Sequence, residues 1–245
     1  SGGQDLIFPH HENEIAQSEA ANCCDFAHYW MHNGYINIDN KKMSKSLGNF
    51  FTVREIAEEF DYEVIRFFML SAHYRSPINF SKELMKSAEA GLERVYNCLE
   101  NLDFIEKNAA SEKMTDKEAE LKNKLDELKK KYINAMDDDL NTADAIAAIF
   151  EIVSEANRNL TVESGASKEI IQYASGMIRE FGGVLGLFQK NSGDSLDSEV
   201  EKILSERQEA RKNKDWAKSD ELRDKLKEMG IIVKDTAAGQ QITKE

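Results

Sequence analysis

The chain has 245 residues, of which 41% are hydrophobic and 31% charged, a composition typical of a globular protein with one to three domains. It contains no apolar run of about eighteen residues, which excludes a membrane-spanning helix. The net charge of −13 argues against a simple nucleic-acid binder, although one local face can still be basic. The cysteines Cys23, Cys24 and Cys98 fit neither a disulfide scaffold nor a CxxC metal site, and they favour a reducing compartment.

The first fifty residues mix turns with short apolar runs. The opening Ser1–Gln4 is rich in glycine and has no initiator methionine, which is typical of the middle of an α/β unit and predicts a fragment of a longer protein. Pro9 suits the first position of a helix that we expect to reach about Ala21. The runs Tyr29–His32 and Gly34–Ile38 predict short strands.

From Thr52 onward the sequence favours helix, because Ala, Glu, Lys and Leu are abundant and the chain has only 2 prolines. Thr52–Glu55 and Thr115–Glu118 match the capping box that begins many helices. Asp61 and Ser81 are suited to cap the next two helices. After Ser81 apolar residues recur at helical spacing, which predicts a long amphipathic helix.

Two further bundle helices are predicted, one around Ala145–Val153 and one over Ile170–Leu187. The polar stretch 189–197 is the best candidate for a domain boundary. Beyond it we expect two helices that break near 213–215, and then a hairpin that pairs residues 231–234 with 240–243.

The segment Phe8–Glu14 carries the first candidate site. His10 and Glu14 are four residues apart near a helix start, so their side chains share one face. An imidazole nitrogen and a carboxylate oxygen can share a zinc ion, but two ligands do not complete a tetrahedron. The alternative is that these residues only stabilise the helix start.

The segment Lys42–Asn49 carries the second candidate site. Lys42 and Lys45, with hydroxyls between them and Gly48 behind, predict a mobile cationic loop that could neutralise the charge growing on departing pyrophosphate. The frame of a Walker loop is absent. The alternative is a solvated lysine-rich turn.

The third candidate site lies near the C-terminal end. Trp216 and Asp220 are four residues apart on one predicted helix face, and Arg211 precedes the helix break. A Trp can stack on an unpaired base, a carboxylate can accept both N–H groups of a guanine edge, and an Arg can stack or bind phosphate. The alternative is a Trp that pins a small helical hairpin.

These segments resemble a known family. Lys42–Ser46 resembles the second consensus motif of class I aminoacyl-tRNA synthetases, and together with Phe8–Glu14 it resembles the cysteinyl-tRNA synthetases. Asp138–Thr142, Lys214–Trp216 and Met229–Ile231 are similar to the helical and C-terminal domains of that family. The resemblance covers essentially the whole chain.

The resemblance implies a reaction. In the intact enzyme, ATP with Mg²⁺ and L-cysteine would form cysteinyl-adenylate, and the 3′ end of the cysteine tRNA would then accept the cysteinyl group. The family also implies one zinc per subunit, a cytoplasmic location, no membrane partner and a monomer.

The resemblance also implies roles for individual residues. His10 and Glu14 match two zinc ligands, and the zinc is expected to bind the substrate thiolate in preference to a serine hydroxyl. Lys45, supported by Lys42, matches the catalytic lysine that contacts ATP.

Further matches concern the ribose and the anticodon. Gly3 and Asp5 lie where class I enzymes place a turn near the adenosine ribose. Arg211, Trp216 and Asp220 would then read the first anticodon base.

The sequence departs from the family in one respect. The first ATP motif, a His-x-Gly-His type tetrad, is absent, and Cys23 and Cys24 follow the His10–Glu14 helix where the cysteine ligands of the family precede it. We therefore expect the chain alone to bind zinc weakly and to be inactive.

The predicted fold is mostly α, with the trailing part of a Rossmann-like α/β domain followed by an antiparallel helix bundle and a small α/β domain. Two other functions remain open: a ligase that joins cysteine to an amino sugar on a similar core, and a helical RNA-binding module without catalysis. The predicted domains are a catalytic part at 1–50, a helical connector at 51–80, a tRNA-binding bundle at 81–190 and an anticodon-recognition domain at 198–245.

Overall fold

The structure is a computed structural model that describes residues 1–38, 41–43, 51–109, 111–190, 198–213, 215–236 and 239–244. The α-helices of the described residues are α1 Glu12–Asn22, α2 Val53–Ile56, α3 Tyr62–Leu70, α4 Lys82–Lys107, α5 Ala119–Asp137, α6 Thr142–Asn159, α7 Lys168–Leu185, α8 Ser198–Lys212 and α9 Trp216–Glu228. The strands are β1 Gly2–Gly3, β2 His32–Asn33, β3 Ile36–Ile38, β4 Lys41–Lys42, β5 Ile78–Phe80, β6 Ile231–Thr236 and β7 Gly239–Lys244. The predominance of helix confirms the predicted fold class.

The chain divides into two compact units, the first formed by residues 1–92 and 130–148 and the second by 93–129 and 149–245. None of the helices within the described ranges combines the length and apolar character needed to cross a bilayer.

Short strands form two small sheets in the first unit. β1 pairs in parallel with β2, and β3 lies between β5, which is parallel to it, and β4, which is antiparallel. Gly34, just before β3, lies against the backbone of Ser76, and any Cβ there would collide with it. The strand predicted over Tyr29–His32 is wrong for its first three residues, because β2 begins at His32 and Tyr29 is almost fully exposed.

Helix α1 begins later than the sequence predicts. Two short helical turns at 4–6 and 7–11 precede it, and Phe8, inside the second turn, is extended (φ −129°, ψ 131°). The helix ends as expected near Ala21, because Cys23 adopts the left-handed conformation with φ 54°.

The predicted caps of the next helices are confirmed. The Thr52 N–H donates to Glu55 Oε2 at 2.6 Å while the Glu55 N–H donates to Thr52 Oγ1 at 3.3 Å, which completes the capping box of α2. Asp61 Oδ1 accepts the Glu63 N–H at 2.8 Å and so caps α3. Ser81 Oγ accepts the Leu84 N–H at 3.3 Å at the start of α4.

The loop between α5 and α6 contacts the loop after α3 within the first unit. Asp139 and Leu140 are left-handed, with φ 57° and 55°. The Asp139 carboxylate accepts the Tyr74 hydroxyl at 2.8 Å and pairs with Arg75 Nε at 2.8 Å. The segment Asp138–Thr142, which the sequence singled out, therefore ties α5 and α6 to the residues that precede β5.

The second unit contains an antiparallel helix pair. Arg179 on α7 bonds Asp103 on α4 at 2.9 Å, while Gln172, earlier on α7, bonds Glu106, later on α4, at 2.7 Å. The partner numbers fall on one helix as they rise on the other, so α4 and α7 are antiparallel. These two contacts accompany an apolar interior that includes Ile170, Ile178 and other buried residues of α7.

Glu118 joins the start of α5 to the start of α7. Its carboxylate accepts the Thr115 N–H at 2.7 Å and the Ser167 N–H at 2.7 Å. Ser167 in turn caps α7 by accepting the Ile170 N–H. Burial acts to raise the pKa of Glu118, but the combined hydrogen bonds from Ser167 and Thr115 outweigh it and lower that pKa.

The C-terminal residues form two helices and a hairpin, as predicted. Asp215 caps α9 by accepting the Lys218 N–H, and Gly230 ends the turn after it with φ 73°. β6 and β7 pair from Ile231↔Lys244 to Thr236↔Gly239. The apolar core of this part consists of Val200, Ile203, Leu226, Ile231 and Val233. Of the linker predicted at 189–197, residues 191–197 lie outside the described residues, and the predicted domain limits remain a prediction.

Candidate functional site

Gly3 and Asp5 lie together at the end of β1. Gly3 pairs with Asn33 of β2, and a Cβ on Gly3 would lie 2.5 Å from Asp5 Oδ1. The Asp5 carboxylate therefore occupies the space that a side chain at position 3 would take. Asp5 itself is exposed, so its carboxylate can accept hydrogen bonds from a ligand at this turn.

His10 and Glu14 lie at the beginning of α1, and both side chains are exposed. His10 belongs to the turn that runs into the helix, and Glu14 belongs to its first turn. Within the described ranges, no group of three His, Cys, Asp or Glu residues is arranged to hold a metal ion. The pair offers at most two donors, which is half of a tetrahedral zinc set.

The neighbouring His11 belongs to a cluster of rings that the sequence did not predict. One ring N–H joins His11 Nδ1 and His32 Nε2 at 2.8 Å. The Trp30 ring lies 4.8 Å from the His11 ring and is nearly parallel to the His32 ring, at 5.8 Å between centroids. Because His11 is next to His10, these contacts fix the start of α1 against β2.

The lysine-bearing loop is described only in part. Lys42 ends β4, which pairs with Asn37 of β3, but its side chain lies outside the described residues. Lys45 and the rest of 44–50 also lie outside them. The distance from Lys45 to His10 and Glu14 is therefore untested.

Arg211 and Trp216 meet at the junction of α8 and α9. The guanidinium carbon of Arg211 lies 5.7 Å from the centre of the Trp216 ring, which is within the range of a cation–π contact. Trp216 is 56% exposed, so most of a large aromatic side chain faces solvent at this junction. A cation and an exposed indole together form a surface on which a flat aromatic ligand can stack.

A carboxylate on the hairpin holds Arg211 in place. Asp235 Oδ2 accepts from Arg211 Nη1 at 2.8 Å and from Arg207 Nη2 at 2.8 Å, and Asp235 Oδ1 accepts from Arg207 Nη1 at 2.9 Å. Arg207 Nη1 also donates to Gln240 Oε1 at 2.7 Å. The hydrogen bonds from Arg207 lower the pKa of Asp235, so this carboxylate is ionised near neutral pH.

Asp220 is not part of that group. It lies four residues after Trp216 on α9 and pairs with Arg223 at 3.2 Å, with both side chains well exposed. An exposed pair of this kind adds little stability, so either partner is free to exchange for a ligand at small cost.

The sequence identified Arg211, Trp216 and Asp220, but it missed the role of Arg207 and Asp235. Asp235 falls in the turn of the hairpin predicted between residues 234 and 240, and the sequence does not distinguish Arg207 from the basic residues around it. The available signal was that Arg207 and Arg211 are four residues apart and so share a helix face. Their common acceptor comes from a distant strand, which one sequence does not reveal.

Three family models match the chain in succession. The model described as the class I (C) catalytic domain of tRNA synthetases matches residues 1–90, that of the DALR domain matches 131–189, and that of the cysteinyl-tRNA ligase anticodon binding domain matches 193–242. Arg207, Arg211, Trp216, Asp220 and Asp235 all fall within the third match.

Individual proteins agree with these matches. A cysteine–tRNA ligase of Lachnospira eligens is 54% identical over 239 residues, which is 98% of this chain and 50% of that protein. The chain thus spans about half the length of this curated relative.

Among solved structures, the LeuRS of Agrobacterium radiobacter in a ternary complex with tRNA and LeuAMS has a TM-score of 0.57. It is 18% identical, and the match covers 77% of this chain and 27% of that one, a likeness that concerns the fold alone.

Proposed function

This chain belongs to the cysteine–tRNA ligase family, and from that premise we propose that it supplies the nucleotide-contacting and tRNA-binding parts of such an enzyme. The enzyme would use ATP with Mg²⁺ to activate L-cysteine as cysteinyl-adenylate and then transfer the cysteinyl group to the cysteine tRNA. The family assignment further supports a cytoplasmic, monomeric enzyme.

One observation carries the proposal: an exposed Trp216 lies under the guanidinium of Arg211 inside the segment that resembles an anticodon binding domain. An unpaired base can stack on such an indole, and the stacking is worth about 1–3 kcal/mol per base. A guanidinium beside the ring adds a contact to the base face or to a phosphate.

Asp220 supplies the proposed base specificity. Its carboxylate can accept both N–H groups on the Watson–Crick edge of a guanine. Guanine is the first anticodon base of a cysteine tRNA. In the free protein Asp220 pairs with Arg223, and this exposed pair can open at small cost when the base arrives. Arg223 would then be released toward the RNA backbone.

The N-terminal residues supply the proposed contacts to ATP. Lys45, with support from Lys42, would neutralise charge at the phosphates as pyrophosphate leaves, because a cation aimed at developing negative charge lowers the barrier. The exposed Asp5 carboxylate beside Gly3 is suited to accept hydrogen bonds from the ribose hydroxyls. These four assignments rest on the resemblance and on the exposure of the β1 turn.

His10 and Glu14 are the proposed zinc ligands of this chain. Their exposure and spacing at the start of α1 suit two ligands of a tetrahedral set, and residues outside the described part would have to complete it. A bound zinc would select L-cysteine by its thiolate. The hydrogen bond between His11 and His32 would orient the helix start that carries both ligands.

The two other candidate functions receive less support. A cysteine–amino-sugar ligase has no use for an anticodon reader, and the match at 193–242 argues for tRNA. A non-catalytic RNA-binding module does not account for the match of residues 1–90 to a catalytic domain.

Binding of cysteine tRNA by Trp216→Ala tests the proposal. We expect its affinity for cysteine tRNA to fall about tenfold to a hundredfold, which corresponds to the loss of one stacked base. The fold should persist because the side chain is mostly exposed. The measurement is filter binding at fixed salt, alongside the melting temperature.

Tyr62→Ala is the matched control, because it removes another exposed aromatic side chain, from the start of α3. It should bind cysteine tRNA like the unchanged chain. Equal binding by Trp216→Ala and Tyr62→Ala would refute the anticodon role of Trp216.

A further inference from the structure

Arg207 is fully buried in α8, although arginine is among the residues least often buried. Both of its terminal nitrogens are used: they make two parallel bonds to Asp235 and one bond to Gln240. Its Nε has no hydrogen-bond partner in the part of the chain that the structure describes. Pairing with Asp235 and Gln240 therefore compensates the burial of this charge.

Stability alone does not explain a guanidinium at this position. The adjacent core is apolar, with Val200, Ile203 and Leu226 nearby in the same small domain. Replacing a buried ion pair by apolar residues of similar volume is often neutral or stabilising. A paired buried charge does, however, fix the geometry of its partner, which an apolar residue cannot do.

Arg207 and Arg211 share one hydrogen-bond acceptor, Asp235. Asp235 Oδ2 is shared, because it accepts from Arg207 and from Arg211 at the same distance of 2.8 Å. Arg211 is partly exposed and lies over the Trp216 ring. A continuous set of contacts thus runs from the buried Arg207 through Asp235 and Arg211 to the exposed indole.

We propose that Arg207 is a positioning residue for anticodon recognition: it holds Asp235 so that Arg211 stays over Trp216 before the base arrives. The inference rests on the proposed function, which assigns base stacking to Arg211 and Trp216. Arg207 does not touch the RNA. A base that stacks on a fixed Arg211–Trp216 pair presents its edge in one orientation to Asp220, the residue proposed to read it, so the effect of Arg207 appears as discrimination between bases.

The test uses Arg207→Met and Arg207→Lys in the 245-residue chain. Met keeps much of the volume without the charge, and Lys keeps the charge but cannot bond both carboxylate oxygens in parallel. Lys202→Met is the control, because Lys202 is an exposed residue of the same helix and its loss changes the net charge equally. Each protein is titrated with two cysteine tRNA transcripts that differ only at the first anticodon base.

We expect Arg207→Met to lower the ratio of the two affinities roughly tenfold, as the loss of a charge-assisted hydrogen-bond pair would. The affinity ratio of Arg207→Lys should fall between those of Arg207→Met and the unchanged chain, and Lys202→Met should keep the ratio.

A second measurement follows the Trp216 indole directly. In a Trp30→Phe background, which leaves Trp216 as the only tryptophan, Arg207→Met should also make the indole more accessible to acrylamide.

A purely structural role predicts a lower melting temperature and an equal loss of affinity for both transcripts, and that result would overturn the proposal. So would failure of both Arg207 variants to fold. If Arg207→Met keeps the ratio while Arg211→Met lowers it, the positioning role falls and the proposed function stands. If Arg211→Met also keeps the ratio, the proposed function loses its assignment of anticodon recognition to Arg211.

Discussion

Cys98 differs from the other two thiols of the chain in its surroundings. It is almost completely buried in α4, with its Sγ 4.0 Å from the carbonyl oxygen of Val153. Burial raises the pKa of Cys98 to about 12, with a smaller opposing effect from Arg94. Cys23 and Cys24 are exposed and free.

We therefore predict that two thiols of the folded chain react promptly with a thiol reagent at pH 8, and that Cys98 reacts about a hundredfold more slowly, after local opening. Denaturant should release the third thiol. Absorbance of the released chromophore gives both the number and the rates. Three equal rates would contradict the buried position of Cys98.

The raised pKa of Cys98 also predicts how the stability of the folded chain changes with pH. A thiol whose pKa is raised on folding stays protonated while the unfolded thiol ionises, so its contribution to stability is complete below the unfolded value of 9.0. That contribution is lost as the pH rises from 9.0 toward about 12. The chain should consequently unfold more readily in alkali.

At the scale of residues, the sequence predicted chemistry better than contacts. The spacing of Trp216 and Asp220 followed from the helical repeat. The contact of Arg211 with Trp216 across the helix break was not predicted. The bond of Arg207 to Asp235 was not predictable, because it depends on the hairpin folding back on α8. The hydrogen bond between His11 and His32 escaped prediction for the same reason, since it joins a helix start to a strand.

At the scale of elements, the last turn of helix α7 contains two glycines, Gly182 and Gly183, that differ in their surroundings. A Cβ on Gly182 would collide with the Phe188 ring and would lie 2.9 Å from the Leu187 carbonyl oxygen. A Cβ on Gly183 would meet no atom within 4 Å. Gly182 therefore permits the chain to turn back closely after Gly186, which adopts φ 67°.

The two glycines predict opposite effects of the same substitution. Gly183→Ala should stabilise the chain by about 0.5–1 kcal/mol, because alanine loses less backbone entropy in a helix. Gly182→Ala should destabilise it by about 1–3 kcal/mol, because the added methyl group displaces Phe188 or Leu187. Urea unfolding measures both, and destabilisation by both variants would contradict the described packing.

Helices were predictable as elements, and the short strands were less so. The capping residues Thr52, Asp61 and Thr115 act locally, within three residues of their own position, so the sequence alone places the helix starts. Strands β2 and β4 have two residues each and depend on distant partners. The separate turn at 7–11 that precedes α1, with the extended Phe8 inside it, also escaped prediction.

At the scale of the whole molecule, the net charge of −13 is compatible with the proposed RNA contact, because the basic residues that matter are local. Arg207 and Arg211 meet one carboxylate, so this group retains a net positive charge beside Trp216. The total charge taken by itself would have excluded an RNA-binding function, which the third family match supports.

The central claim is that this chain supplies one part of the active site of a cysteine–tRNA ligase, and ATP–pyrophosphate exchange dependent on L-cysteine tests it most directly. The chain is assayed alone and joined to the N-terminal half of the ligase of Lachnospira eligens, with Lys45→Ala as the variant. We predict exchange by the joined protein, a loss of about a hundredfold or more in Lys45→Ala, and none by the chain alone. Exchange by the chain alone, or none by a folded joined protein, would contradict the claim.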